Sequence, residues 1–511
     1  MRRFTLGRVF ALGRVYALGR VLVLGWVLAL GVCAATGCSQ DAGDPVEDST
    51  GAALITLVAP PEAKDLDPLA SGVSLRLRRG VPGGGLEDLD VVLRGAALRA
   101  EPYEGEQPTR FVVELRKGET MLARAETAVA VLREDEPDRE MVALLVPPTT
   151  LVTPVSAAGA PLLPRVGPGA SVTALGDGKI VVAGGALTDA GSPCAPGKPT
   201  AITATAQVVD LLALTVEAEV QLVDARADHA AVPLLGGRVA LLGGYVDKAG
   251  SVGLSRGVEI VAANQGRSEG ASFELARGRA RAGVVADGAQ IVLVGGDEEA
   301  VGAPVASIER FDLGLGTVST GSLALPRRDP AVALVREPGS ERRLLFVLGG
   351  VDASGNSIGQ GEVFELQGDA FWPLATVIGP TPAASAAAWL GSEQPFTALR
   401  IGGVVGGAAS DAVLQWSPQS GSWSPTTSLA VARSCIGVGT FDGELWLVGG
   451  LAGDGKASGA VERRGGELST WDLGAGRVRP AVLPGPGPHL LLAGGRDAQG
   501  AAAGVQLFWP Y

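Results

Sequence analysis

IVVAGG at residues 180–185 is the stretch that decides how this chain folds, because the same signature returns six more times. The other copies are VALLGG (239–244), IVLVGG (291–296), LFVLGG (345–350), ALRIGG (398–403), LWLVGG (445–450) and LLLAGG (490–495). Successive copies are 59, 52, 54, 53, 47 and 45 residues apart. Each is an apolar run of strand length that stops on two glycines.

Alignment on the glycine pair exposes a four-part unit. An arginine opens the first strand, as in the segment RADHAAV (226–232). A turn such as DGK (177–179), DGA (287–289) or DGE (442–444) leads into the apolar second strand. After a polar loop comes a third strand: GVEIV (257–261), SIERFD (307–312), GEVFEL (361–366), DAVLQW (411–416), GAVERR (459–464) or GVQLF (504–508). A fourth strand often carries tryptophan near its start, at Trp372, Trp423 and Trp471. Four short strands repeated at this period are the signature of a β-propeller, one copy per blade. Residues 166–511 number 346, about 49 for each of seven blades. The last repeat ends at its third strand with LFWPY, while TTLVTPVSAAGAPLLPR (149–165) resembles the fourth-strand segment SWSPTTSLAVAR (422–433). The early segment is therefore expected to supply the missing outer strand of the last blade.

Over residues 149–511 the unit resembles the Kelch repeat, whose hallmarks are the double glycine, an Arg-x-x-His stretch, an aromatic in the third strand and a tryptophan in the fourth. Arg-x-x-His is complete only at Arg226 to His229, and PAASAAAW (382–389) has no arginine before its first strand. The resemblance implies an all-β protein with a seven-bladed Kelch-type β-propeller at 148–511. Both glycines and tryptophans would then be framework, the former for positive φ and close packing, the latter for buried area.

Upstream, residues 53–147 hold runs with strand character, among them ALITLVA, VSLRLRR and RFVVELR, separated by turns such as PGGG (82–85). They predict a small β-sandwich of the immunoglobulin or transthyretin kind, and no cluster of reactive residues stands in it. Residues 1–37 read as a signal peptide: five arginines precede an uncharged run from Val21 to Thr36. ATGC (35–38) resembles the bacterial lipobox, which implies lipid attachment at Cys38, and Ser39 suits an outer-membrane destination by the same resemblance. The acidic stretch 38–52 reads as a disordered tether. Membrane contact through that lipid alone is expected.

The 511 residues include 75 glycines and 33 prolines, and only 19% are charged, which suits short strands and tight turns. Beyond residue 37 there are 37 basic and 54 acidic residues, a net of −17, which argues against binding a phosphate backbone. His229 and His489 are the only histidines and fall in different parts of the unit, so no metal centre or other cofactor is expected. GSPCAPGKPT (191–200) has the wrong spacing for a phosphate loop, and no Gly-x-Ser-x-Gly elbow occurs. Cys194 and Cys435 belong to the first and sixth repeats, and both are expected unpaired. What remains is binding. Loops after the second strand and connections into the first should share one face, with Arg226, Asp247, Arg281, Arg328, Asp352, Arg433 and Asp454 as candidates there. Ordinary turn chemistry for the aspartates, and blade-to-blade ties for the arginines, are the default explanation of the same residues. The expected partner is a protein, peptide or glycan, not nucleic acid; a carbohydrate-active enzyme on the same scaffold is the alternative.

Overall fold

All seven apolar runs are the second strand of a four-stranded antiparallel meander. The structure, a computed structural model, describes residues 51–511 except 83, 95–96, 102–106, 134–135, 164, 177, 188–190, 193, 249, 289, 299–302, 314–315, 337–341, 378–386, 391–397, 418–421, 465–467, 498–500 and 511. The signal segment, Cys38 and most of the tether lie outside the described residues. The first sheet comprises Ser171–Gly176, Lys179–Ala183, Thr205–Asp210 and Thr215–Gln221. Five more follow the same order, with second strands Arg238–Leu242, Gln290–Val294, Arg343–Leu348, Ala398–Ile401 and Glu444–Val448. The seventh is built from Ala481–Pro484, Leu490–Ala493 and Val505–Phe508, and its outermost strand is Leu151–Val152. Leu151 pairs with Phe508 and Val152 with Leu507.

Past their first residue the second strands are apolar with no alternation, Arg400 excepted, because both of their faces are buried. Ile180 and Val182 pack toward the seventh sheet, with Leu491 and Leu507. Val181 and Ala183 pack toward the second, with Val239 and Leu241. A shared apolar layer of this kind lies between every successive pair of sheets, including the seventh and the first. First strands adjoin in the same succession, and Ala481–Pro484 of the last lies beside Ser171–Gly176 of the first. The protein is all-β, made of many small antiparallel sheets.

Tryptophan placement is less uniform than the pattern predicted. Trp471 stacks on Trp446 with ring centroids 5.5 Å apart, and Trp423 packs partly buried between the fourth and fifth sheets. Trp372 lies on the surface, so no burial can account for it.

Residues 53–146 form two layers. Ala53–Val58 pairs in parallel with Arg139–Leu144 and in antiparallel with Ala97–Ala100, while Val73–Gly80, Pro108–Lys117 and Thr120–Glu126 build the other layer. Ile55, Leu98 and Met141 meet Leu77, Phe111, Val113 and Leu115 in one core. Leu144 and Val146 continue from that core into the apolar layer between the first and seventh sheets.

Candidate functional site

Ahead of the first strand in five of the sheets stands an arginine whose side chain is fully enclosed. Arg226, Arg279, Arg327, Arg433 and Arg477 occupy this position. Arg226 shows the pattern: Nη2 donates to Glu259 Oε2 at 2.6 Å and Nη1 to the Gly243 carbonyl at 3.2 Å. Arg327 donates to Glu362 at 2.7 Å and to the Gly349 carbonyl at 2.8 Å. Arg433 donates to Glu462 at 2.8 Å, and Arg279 bonds Glu309 and the Gly295 carbonyl. In the last copy Gln506 takes the carboxylate's place beside Arg477. Arg226, Arg279, Arg327 and Arg477 thus grip the glycine pair of their own sheet through their side chains, while Arg433 donates to the Ala460 carbonyl at 3.0 Å. Its main-chain carbonyl meanwhile accepts from the glycine pair of the sheet before: Gly185 N donates to Arg226 O at 2.8 Å, and Gly450 N to Arg477 O at 2.8 Å. A Cβ on Gly449 would stand 2.0 Å from that Arg477 oxygen, and φ there is 65°, so only glycine fits. Glycine pair and arginine interlock sheet to sheet.

This corrects the expectation for two candidates. Arg226 and Arg433, at 1% and 0% exposure, are sealed inside the fold and closed to a ligand. The missed partner is the third-strand carboxylate, visible in the sequence as the recurring Glu of GVE, SIE, GEV and AVE. Burial pulls the Arg279, Arg327 and Arg433 guanidinia down, opposed by their carboxylates. Arg477, which has a neutral partner, falls to about 10 for the same reason, with Asp497 opposing.

The three aspartates spend their side chains on their own loops. Asp247 accepts from Gly250 N at 2.8 Å, Asp352 from Ser354 N at 2.9 Å and Asn356 N at 2.8 Å, and Asp454 from Lys456 N at 3.0 Å. His229, next to the first clamp, is buried and bonded to Ser171 Oγ at 2.8 Å; burial, helped by Arg226, lowers it to about 3.

Two residues past each buried arginine the backbone enters the left-handed region: Asp228 (φ 52°), Arg281 (55°), Asp329 (50°), Cys435 (55°) and Arg479 (53°). A non-glycine residue there costs roughly 1–2 kcal/mol, so the repetition needs a compensating contact. Main-chain bonds supply it. Asp228 N donates to Gly169 O, Arg281 N to Asp228 O, Asp329 N to Arg281 O and Arg479 N to Cys435 O, all within 2.9 Å. Arginine and first strand are also separated by this turn: Arg226–Ala227 pairs with Tyr245–Lys248, the loop after the second strand, and the first strand begins only at Ala230. The two kinds of loop are hydrogen-bonded neighbours.

Side chains of these turns gather into a charged mouth. Arg281 lies 3.5 Å from Asp228 and 3.6 Å from Asp297; Arg328 reaches Asp297 at 3.3 Å. Arg479 of the seventh sheet's turn meets Asp329 of the fourth's at 3.7 Å. Three arginines thus face three aspartates. Burial raises Asp228 and Asp297 against the pull of Arg281 and Arg328. Burial works against the Arg281 charge too, yet Asp228 and Asp329 outweigh it and Arg281 is raised.

One segment of the first sheet's long loop reaches three of these turns. Cys194 is disulfide-bonded to Cys435, which corrects the expectation that both are unpaired. Their separation of 241 residues hid the contact. Sequence distance says nothing here because the loop of the first sheet reaches the turn before the sixth. Arg479 Nη1 donates to the Cys194 carbonyl at 3.2 Å and Arg281 Nη2 to the Gly197 carbonyl at 3.3 Å. Gly191–Ser192 and Ala195–Pro196 pair as a short hairpin around Cys194. Among the described residues no three His, Cys, Asp or Glu are grouped to hold a metal ion.

No family model matches the chain, and no curated protein does. Among solved structures, that of YjhT aligns over 61% of this chain and all of its own length, with a TM-score of 0.43 at 12% identity. A likeness that low carries no argument about this protein.

Proposed function

We propose that residues 148–511 form a seven-bladed Kelch-type β-propeller behind a small β-sandwich at 53–147. On this reading the protein is a binding or scaffold protein of the cell envelope, exported and lipid-anchored to the outer membrane through Cys38, and it takes a protein, peptide or glycan on one face. The cyclic succession of seven sheets favours the propeller. The observation that carries the binding role is the mouth, where arginines already hold main-chain carbonyls of a polypeptide segment, Arg479 on Cys194 and Arg281 on Gly197. Loops on a rigid frame are where recognition concentrates.

The test is partner capture with the chain beginning at Ser39, run without and with dithiothreitol and repeated on a swap of Asp329→Arg with Arg479→Glu. The swap keeps the pair and reverses its direction. Partners held by the parent and lost by the swap support the mouth; an unchanged set overturns it. The second reading, a carbohydrate-active enzyme, is favoured by the convergence of Arg281 and Arg328 on Asp228 and Asp297, two carboxylates with raised proton affinity. It requires turnover of an oligosaccharide that Asp297→Asn abolishes, and binding without turnover excludes it.

A further inference from the structure

The turn before the sixth sheet departs from its counterparts, since a cysteine stands where they carry aspartate or arginine. Its disulfide ties down a hairpin whose two carbonyls, three residues apart, occupy guanidinium donors from the turns before the third and seventh sheets. The segment is thus held at three points by turns that belong to three different sheets. A hairpin that needed only to close its own loop would have no reason to be fastened across the molecule.

We propose that the hairpin around Cys194 is a tethered occupant of a binding site for a polypeptide turn, held in place by the Cys194–Cys435 disulfide and released when that bond is reduced. The inference rests on the reading of this face as a binding surface and names its partner class and its control. Recognition by two guanidinium groups of two main-chain carbonyls asks little of the side chains and much of the backbone shape, which is what a turn in another polypeptide can reproduce. While the disulfide stands, the chain's own turn is fixed in the site and excludes any other. Once it is cut, the segment competes through its hydrogen bonds to Arg281 and Arg479 and through its loop ends, at a finite effective concentration that a partner can exceed.

The reductant is a dithiol. Its thiolate attacks Sγ of Cys194, the more exposed residue of the pair, since Cys435 is only 6% exposed. The Sγ–Sγ bond breaks, Cys435 leaves as thiolate and takes up a proton, and a mixed disulfide forms on Cys194. The second thiol of the dithiol then displaces Cys194 as a thiol. Two electrons and two protons pass to the protein, and the dithiol becomes a cyclic disulfide.

The experiment uses the chain from Ser39 and a fluorescein-labelled peptide of residues 191–199 carrying Cys194→Ser, followed by fluorescence anisotropy. Oxidised chain, dithiothreitol-reduced chain and the Cys194→Ser/Cys435→Ser variant are compared. Reduced chain and variant should bind the peptide at least tenfold more tightly than oxidised chain, and Arg281→Ala with Arg479→Ala added to the variant should remove binding. A further form, with 189–199 replaced by a Gly-Ser linker, should bind in either redox condition. Hydrogen exchange at the amides of residues 191–197 should accelerate at least tenfold on reduction, with the strand amides unchanged, which separates release from unfolding. Equal, arginine-dependent binding to oxidised and reduced chain overturns the latch and leaves the mouth as a binding face. Absence of binding to the linker form overturns the turn site, while the partner-capture result for the Asp329/Arg479 swap still decides the broader reading by itself.

Discussion

Glu259→Ala removes the carboxylate from the Arg226 clamp and leaves a guanidinium enclosed at 1% exposure with only the Gly243 carbonyl to accept from it. The amide of Val223, which donates to Glu259 at 2.7 Å, loses its acceptor as well. Stranding one member of a buried ion pair costs about 3–5 kcal/mol. Glu259→Gln keeps a hydrogen-bond acceptor and removes the charge, which is the situation nature uses at Arg477 with Gln506. There burial lowers the guanidinium to about 10. The glutamine variant, which keeps a neutral acceptor for the guanidinium, should lose less than the alanine variant, about 1.5–3 kcal/mol. Replacing both partners, Arg226→Met with Glu259→Leu, strands no charge and should recover at least half of the alanine loss. Urea unfolding followed by tryptophan fluorescence measures all three, with stability read from the midpoint where the slope is unchanged. The order expected is parent, then double variant and glutamine, then alanine. A double variant as unstable as Glu259→Ala, or all three within about 1 kcal/mol of the parent, would refute the clamp as the inter-sheet tie.

Gly449→Ala should destabilise by about 2–4 kcal/mol, since a Cβ 2.0 Å from the Arg477 oxygen adds overpacking to a left-handed backbone; thermal melting reads it. The folded protein keeps His229 neutral down to about pH 3 and His489 down to about 4, whereas the unfolded chain takes up both protons near 6.5. Stability is therefore full above 6.5 and falls with pH, by about 3 kcal/mol per histidine at pH 4, and His489→Gln should flatten that slope in urea titrations at stepped pH. Removing the disulfide with Cys194→Ala/Cys435→Ala frees a loop of 241 residues, worth about 5.5 kcal/mol in the chain-entropy treatment, which a lowered urea midpoint would register. An unchanged midpoint would count against it.

Sequence and structure agree most where a local rule acts alone. Apolar runs closing on glycine pairs could be read directly, because a strand buried on both faces needs no alternation and its exit needs positive φ. The closing segment at 151–152 could be read too, from a third strand that ended the chain without a fourth. What escaped were pairings between residues far apart. Arg226 reads as a surface charge until Glu259, 33 residues on, is placed against it. Cys194 and Cys435 read as isolated until one sheet's loop is laid over another's turn. Loop aspartates were ambiguous in the sequence, and Asp352 resolves as the cap of its own turn.

The outermost strand of the seventh sheet is joined to its neighbour by only two residue pairs, Leu151 with Phe508 and Val152 with Leu507. The chain runs straight into it from the two N-terminal layers, with Thr149 N also held by the Trp509 carbonyl at 2.7 Å. Any tension applied through the N-terminal layers therefore loads this short seam before it loads a glycine pair or an arginine. Mechanically it is a fuse: pulled apart, it would detach the seventh sheet's edge and leave the other six meanders intact.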